Sequence, residues 1–331
     1  LALMPLILLG FLPPILLVAM SALFGALDTL RMAATQAYAY DLVRTSRATS
    51  GMALTNLGVQ LLTTLGGLIG GYVLDRFGSA PTFGLIAVAM LASVLGPALG
   101  GKTVAPSLES ASPLPLAGVP RATGGTGPEP PARRARPDFG RAASLLLRNR
   151  LIAIVALGVV LAEILGFASQ TLLPTFAHDV FDVGAAGLGT MLAVRSGGGA
   201  LGLVLLAWLG ADGRAGRMFV AAAALIGAML VLFAQAPSYE LALVFLALVG
   251  MCSSVMDTLG QTLMQRNAGE DERGAAMGLW VFSVGFGPIG HLTLGAAASQ
   301  FGAPATQTVA GGLLAVIGLL LALNRSLRRL R

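Results

Sequence analysis

LGGLIGGYVLDRFGSAPT, residues 65–82, recurs in altered form as IGHLTLGAAASQFGAPAT, residues 289–306. Gly66, Gly71 and Gly78 align with Gly290, Gly295 and Gly302, and Phe77 aligns with Phe301. The match continues upstream. GMAL (51–54) recurs as AMGL (276–279), and Asp28-Thr29-Leu30 recurs as Asp257-Thr258-Leu259, with Gln36 and Gln265 each eight residues further on. Residues 12–101 and 238–324 therefore read as two copies of one three-helix unit in the same orientation. Two similar halves around a central site suit a protein that rocks between two states.

The text around the repeat is that of a membrane. Of 331 residues, 56% are hydrophobic and 11% charged, and the mean hydropathy is +0.82. A soluble domain carries roughly 25% charged residues. A spanning helix needs about 20 apolar residues. The apolar runs predict a stub at 1–10 and nine full spans, near 12–39, 47–74, 80–101, 150–176, 185–210, 215–235, 238–264, 274–299 and 304–324. The expected fold class is an all-α polytopic membrane protein. Cys252 is the single cysteine, so no disulfide framework is available. The 44 glycines fit helices that pack closely in lipid. Residue 1 is a Leu inside an apolar run, which reads as a fragment of a longer chain.

Between 101 and 149 the composition changes. Eight of the 17 prolines fall there, beside the basic text PARRARPDFGR (131–141), and the segment reads as a solvated linker. The division expected is 1–101 for the rest of an N-terminal half, 102–148 for a Pro/Arg-rich cytoplasmic linker, and 149–331 for a six-helix C-terminal half. If the linker is cytoplasmic, its side of the membrane holds 18 of the 21 Lys and Arg. The other side holds Arg76 alone, while Arg31 and Arg195 lie within spans. That asymmetry is the positive-inside pattern. It accounts for the net charge of +6 without nucleic acid. It also puts residues 70–82 outside, with the linker and C-terminus in the cytoplasm of a bacterial inner-membrane protein.

An ionisable side chain inside a span is costly and is a functional candidate by default. Five are present: Asp28, Arg31, Glu163, Arg195 and Asp257. Asp28 and Arg31 are three apart on one helix and can pair. Asp28 and Asp257 hold equivalent repeat positions. Glu163 falls near the middle of the 150–176 span, and Arg195 about 15 Å below the outer end of the next. At antiparallel neighbours the two come within about 5 Å in depth, so a Glu–Arg pair is expected. A carboxyl group dehydrated inside a cavity can exchange its proton near neutrality. Glu163 is thus the first candidate for proton coupling, with a static structural pair as the alternative. Gln170 and Phe167 are candidates to line a cavity. His291, beside Gly290, reads as a packing residue.

With these residues assembled, the chain resembles the major facilitator superfamily, and within it the bacterial drug- and siderophore-exporter branch, the enterobactin-exporter-like group. RMAATQAYAYDLV (31–43), TLLPTFAHDVFDVGAAGLGTMLAVRSGGGALG (171–202) and ERGAAMGL (272–279) are similar to segments of that branch, in the same order along the chain. The resemblance implies a major facilitator fold lacking about its first two to three helices. In that register 47–74 is the family's fifth helix, whose antiporters carry a motif ending Gly-Pro-x-x-Gly-Gly. Here Gly66-Gly67-Leu68-Ile69-Gly70-Gly71 stands there, with Gly67 in place of Pro. Glycines spaced by four let a neighbouring helix approach closely. The resemblance adds that such a seam belongs to exporters; ordinary helix packing remains the alternative. The family's cytoplasmic gate loop is similar to Ala211-Asp212-Gly213-Arg214-Ala215-Gly216-Arg217. It implies a bracing role for Asp212, Arg214 and Arg217, against a short solvated basic turn.

Other motifs lead nowhere. Gly96–Thr103 (GPALGGKT) fits the phosphate-loop spacing, but a membrane helix precedes it and VAPSLESASPLPLAGVP follows, so no helix N-terminus is available to cradle phosphate. Asp138-Phe139-Gly140 stands without any other kinase element. Two histidines and one cysteine make no metal cluster. The expectation is therefore no enzyme, cofactor, metal or nucleotide. It is a monomeric secondary transporter whose partners are a small amphipathic substrate, protons and the bilayer. The chief reading is export by proton antiport. The alternatives are an uptake or facilitative carrier of the same fold, or a truncated membrane protein that does not transport.

Overall fold

The computed structural model describes residue 23 and residues 48–99, 139–210, 214–269 and 272–323. Among them helix is the only regular structure. The helices are α1 (Ala48–Phe77), α2 (Ser79–Leu99), α3 (Phe139–Arg148), α4 (Arg150–Leu165), α5 (Gly184–Leu209), α6 (Ala215–Ala234), α7 (Tyr239–Asn267), α8 (Arg273–Val284), α9 (Gly287–Phe301) and α10 (Ala303–Leu323). Seven described segments are long and apolar enough to cross a bilayer. They match seven of the nine expected spans; α2, a shorter apolar helix, falls on the expected 80–101 span, and the span near 12–39 lies outside the described residues except for residue 23. α2 belongs to one compact unit, and all the other helices named belong to a second.

The repeat shows in the backbone. Gly78 ends α1 with φ +80°, and Gly302 ends α9 with φ +81°. The Gly78 amide donates to the Leu74 carbonyl, and the Gly302 amide to that of Ala298. Leu74 and Ala298 are themselves aligned in the repeat. A glycine at this left-handed position stops a helix at little steric cost, so both copies turn at the same place.

Two expected spans are not single helices. The segment Arg150–Val180 is α-helical to Leu165, 3₁₀ over Phe167–Leu172, α-helical over Leu173–Thr175 and π-helical over Phe176–Val180. Gly166 and Pro174 bracket the change. Glycine weakens a helix, and proline removes a donor and clashes with the preceding turn. Likewise the segment Gly274–Phe301 breaks at Gly285–Phe286, with Pro288 in the first turn of α9, where a proline is tolerated. A third difference concerns the linker. Its last residues, Phe139–Arg148, form α3, with Leu145 buried on one side and Arg148 at the end.

Small residues set the packing of the second unit. A Cβ at Gly198 would collide with the Ala247 carbonyl and one at Gly250 with that of Arg195, so α5 and α7 meet backbone to backbone. Gly227, Gly311 and Gly318 do the same between α6 and α10. In lipid, where chains compete with side chains for apolar contact, close approach of this kind is what holds helices together. An aromatic cluster closes the Phe176 end of the bundle, with Phe176 and Phe233 centroids 4.6 Å apart and Tyr239 edge-on to Phe181 at 5.9 Å.

Candidate functional site

A cavity of about 550 Å³ opens between α1, the 3₁₀ part of the Arg150–Val180 segment, α5 and α7. Its wall includes Gln60, Thr63, Phe167, Gln170, Arg195 and Asp257. Each arrives for a local reason. Phe167 and Gln170 lie in the 3₁₀ stretch, whose tighter winding follows Gly166. Arg195 is carried by α5 where Gly198 and Gly250 draw α5 and α7 together. Asp257 follows on α7 and takes a hydrogen bond from Gln261 Nε2 at 3.4 Å.

Arg195 is 7% exposed, and its Nη1 has no hydrogen-bond partner. Glu163 lies within electrostatic reach of both Arg195 and Asp257, yet no ion pair joins these groups among the described residues. The expected direct Glu163–Arg195 ion pair is thus absent among the described residues. Glu163 instead faces the start of α9. A Cβ at Gly287 would stand 3.4 Å from Glu163 Oε2 and 4.0 Å from His291 Nε2. The N-terminus of a helix carries partial positive charge and favours a carboxylate beside it. His291 is held from its other nitrogen, Nδ1, by the Thr171 hydroxyl. The Glu163 carboxyl oxygen and His291 Nε2 thus both lie near the backbone of Gly287.

A polar strap crosses the cavity wall. Gln60 Nε2 of α1 donates to Ser254 Oγ of α7 at 2.8 Å. It passes over Gly199 of α5, where a Cβ would stand 2.6 Å from both atoms. Sequence reasoning did not single out Gln60, Ser254 or Gly287. The Gly287-Pro288 pair inside an apolar run was the available signal for the last. Neutral polar residues are too common on these helices to mark the other two.

The glycine seam divides. Gly67 and Gly71 lie against α5: a Cβ at Gly67 would stand 3.0 Å from the Gly189 carbonyl, and one at Gly71 2.7 Å from Gly189 Cα. Gly66 and Gly70 have nothing within 4 Å. At the end of the same seam, Asp75 Oδ1 lies against Gly184, the first residue of α5, where a Cβ would stand 3.2 Å from it. The Tyr239 hydroxyl donates to the Gly187 carbonyl one turn on, at 2.8 Å. Arg214 flanks the start of α6 and Arg217 lies in its first turn, both exposed. Asp28, Arg31 and Asp212 lie outside the described residues.

Seven apolar segments long enough to span a bilayer, one of them broken at the wall of a cavity, define a polytopic membrane protein. The family model described as Major Facilitator Superfamily matches residues 1–289 and 156–329, and the chain belongs to that family. It is similar to the Enterobactin exporter EntS of Salmonella choleraesuis (strain SC-B67), with 30% identity over 287 residues. The proteins of that name from Shigella boydii serotype 18 (strain CDC 3083-94 / BS512) and Escherichia coli O1:K1 / APEC match at the same identity. These alignments cover 84% of this chain and 62% of each relative. The chain thus spans less than two thirds of the length of the curated relatives it matches.

Proposed function

We propose that the chain works as a secondary active transporter that exports a small amphipathic molecule, drug- or siderophore-like, by alternating access in exchange for protons. The observation that carries the reading is the cavity. It is walled by α1 from one side of the linker and by α5 and α7 from the other, and Arg195 and Asp257 stand in its wall. The names of the relatives favour export. In this reading 1–101 and 149–331 are the moving halves, joined by 102–148. Asp212, Arg214 and Arg217 brace the cytoplasmic gate, and the α1–α5 glycines form the seam about which the halves shift. The working unit is a monomer in the inner membrane, with linker and C-terminus in the cytoplasm.

Glu163 is the proton carrier in this scheme. It sits on the last turn of α4 before the break, so a change at Gly166 moves it between the cavity and α9. Its carboxyl oxygen stands beside the Gly287 backbone at the start of α9. Asp257, with Asp28 and Arg31, is the second-rank coupling candidate.

The test is accumulation of fluorescein or rhodamine 123 in inverted membrane vesicles that contain the chain. Uptake that needs an acid interior and collapses with a protonophore is the expected result, and Glu163→Gln abolishes it. Accumulation to equilibrium without a gradient would mean a facilitative carrier. Full activity in Glu163→Gln would remove that residue as carrier.

A further inference from the structure

The cavity wall holds a guanidinium whose hydrogen-bonding capacity the protein leaves partly unused. A buried guanidinium without hydrogen-bond partners is expensive, because dehydration is repaid only by good partners. Arg195 is 7% exposed, lines the cavity, and has an Nη1 with no partner. Neither nearby carboxylate forms an ion pair with it among the described residues. Gly250 of α7 packs on the Arg195 carbonyl, and Asp257 lies seven residues further along that helix, about 10 Å away. The wall therefore has a cationic end and an acidic end. Gln60 and Ser254 satisfy each other at 2.8 Å. That leaves Gln170, Ser196 and Ser253 as free polar groups between the two ends, beside the apolar Phe167.

We propose that this cavity receives an organic oxyanion: a carboxylate, phenolate or sulfonate on an aromatic body, with its negative group on Arg195. The proposal rests on the reading of the cavity as the transport site, and it names the substrate class. The planar fork of a guanidinium matches the geometry of an oxyanion, and charge-assisted hydrogen bonds of this kind are about twice as strong as neutral ones. A cation at the same place would meet Arg195 directly. The acidic end favours a hydroxyl or amide donor at the far end of the ligand rather than a second anion.

The test uses the purified chain in lipid nanodiscs, in mildly acid buffer where fluorescein carries mainly one negative charge, and two probes with one xanthene skeleton, the monoanion fluorescein and the cation rhodamine 123. Binding is read by fluorescence anisotropy. Fluorescein binds at least about tenfold more tightly to the unaltered chain, the scale of one charge-assisted hydrogen bond. Arg195→Gln removes that preference by weakening fluorescein about tenfold, and Arg195→Lys restores part of it. Arg195→Gln could disturb the α5–α7 packing, so the ratio for the unaltered chain stands as a test by itself. Asp257→Asn is a second variant, and it binds fluorescein at least as tightly as the unaltered chain. Rhodamine 123 bound as tightly as fluorescein, a folded Arg195→Gln with unchanged fluorescein affinity, or weaker fluorescein binding by Asp257→Asn would each overturn the proposal. Because the assay asks only for binding, these outcomes leave the export reading to its own vesicle test. A chain that binds fluorescein through Arg195 without pumping would keep the substrate class and lose the exporter.

Discussion

Gly287 is the residue on which Glu163 and His291 converge. It is buried, and the site of its absent Cβ is 3.4 Å from the carboxyl oxygen and 4.0 Å from the imidazole nitrogen. An alanine fits at ordinary contact distance; the two extra methyls of a valine do not. Gly287→Ala should leave gradient-driven accumulation in vesicles near normal, whereas Gly287→Val should lower it by roughly tenfold to a hundredfold, because small misplacements of a reacting group are costly. Equal activity in the two would detach Glu163 from this corner of the structure. The sequence marks Glu163, Arg195 and Asp257 at once, because a charge in an apolar run is conspicuous by composition. It does not reveal which charges meet. The Thr171–His291 bond joins residues 120 apart in the chain, and it depends on two helix breaks whose geometry no spacing encodes.

At the scale of elements, the α1–α5 seam separates two pairs of glycines that look identical in the sequence. Gly71→Ala would press a methyl to 2.7 Å from Gly189 Cα, which is backbone and cannot swing aside. The expected cost is about 1–3 kcal/mol, as for other overpacked sites. Gly66→Ala and Gly70→Ala meet open space, and the higher helix propensity of alanine makes them neutral or more stable by up to about 1 kcal/mol. Thermal unfolding in detergent tells these apart; equal losses at all positions would mean that α1 does not lie on α5 as described. Existence and order of the helices are legible because each needs a long apolar run. The face that α1 turns to α5 is not, since glycine repeats at both registers. The breaks are half legible: Pro174 and Pro288 announce them, but only packing decides that the first becomes a 3₁₀ stretch and the second a clean corner.

At the scale of the molecule, the distribution of Lys and Arg implies an orientation that can be tested with the chain's own chemistry. Cys252 is the single cysteine and is buried, so Cys252→Ala gives a background without a reactive thiol. Ser79→Cys, just after the Gly78 turn, should then react with a membrane-impermeant maleimide on intact cells. Ser144→Cys in α3 should react only after lysis. The reverse pattern would invert the topology and place residues 70–82 in the cytoplasm. The three-helix repeat is the most legible feature at this scale, because Gly78 and Gly302 are both required by the same left-handed turn. What the sequence hides is that α1, read there as part of the first half, packs on α5 of the second. That packing bears on how the protein is born. α5 carries seven glycines and Arg195, and its mean hydropathy is 1.6 against 2.6 for Arg150–Val180. A central arginine costs about 2.5–3.5 kcal/mol when a helix leaves the translocon for lipid. α5 is therefore a poor candidate to enter the bilayer unaided and depends on neighbours that synthesis has already delivered. α1 has to wait in the membrane, its groove unfilled, while the whole linker is translated.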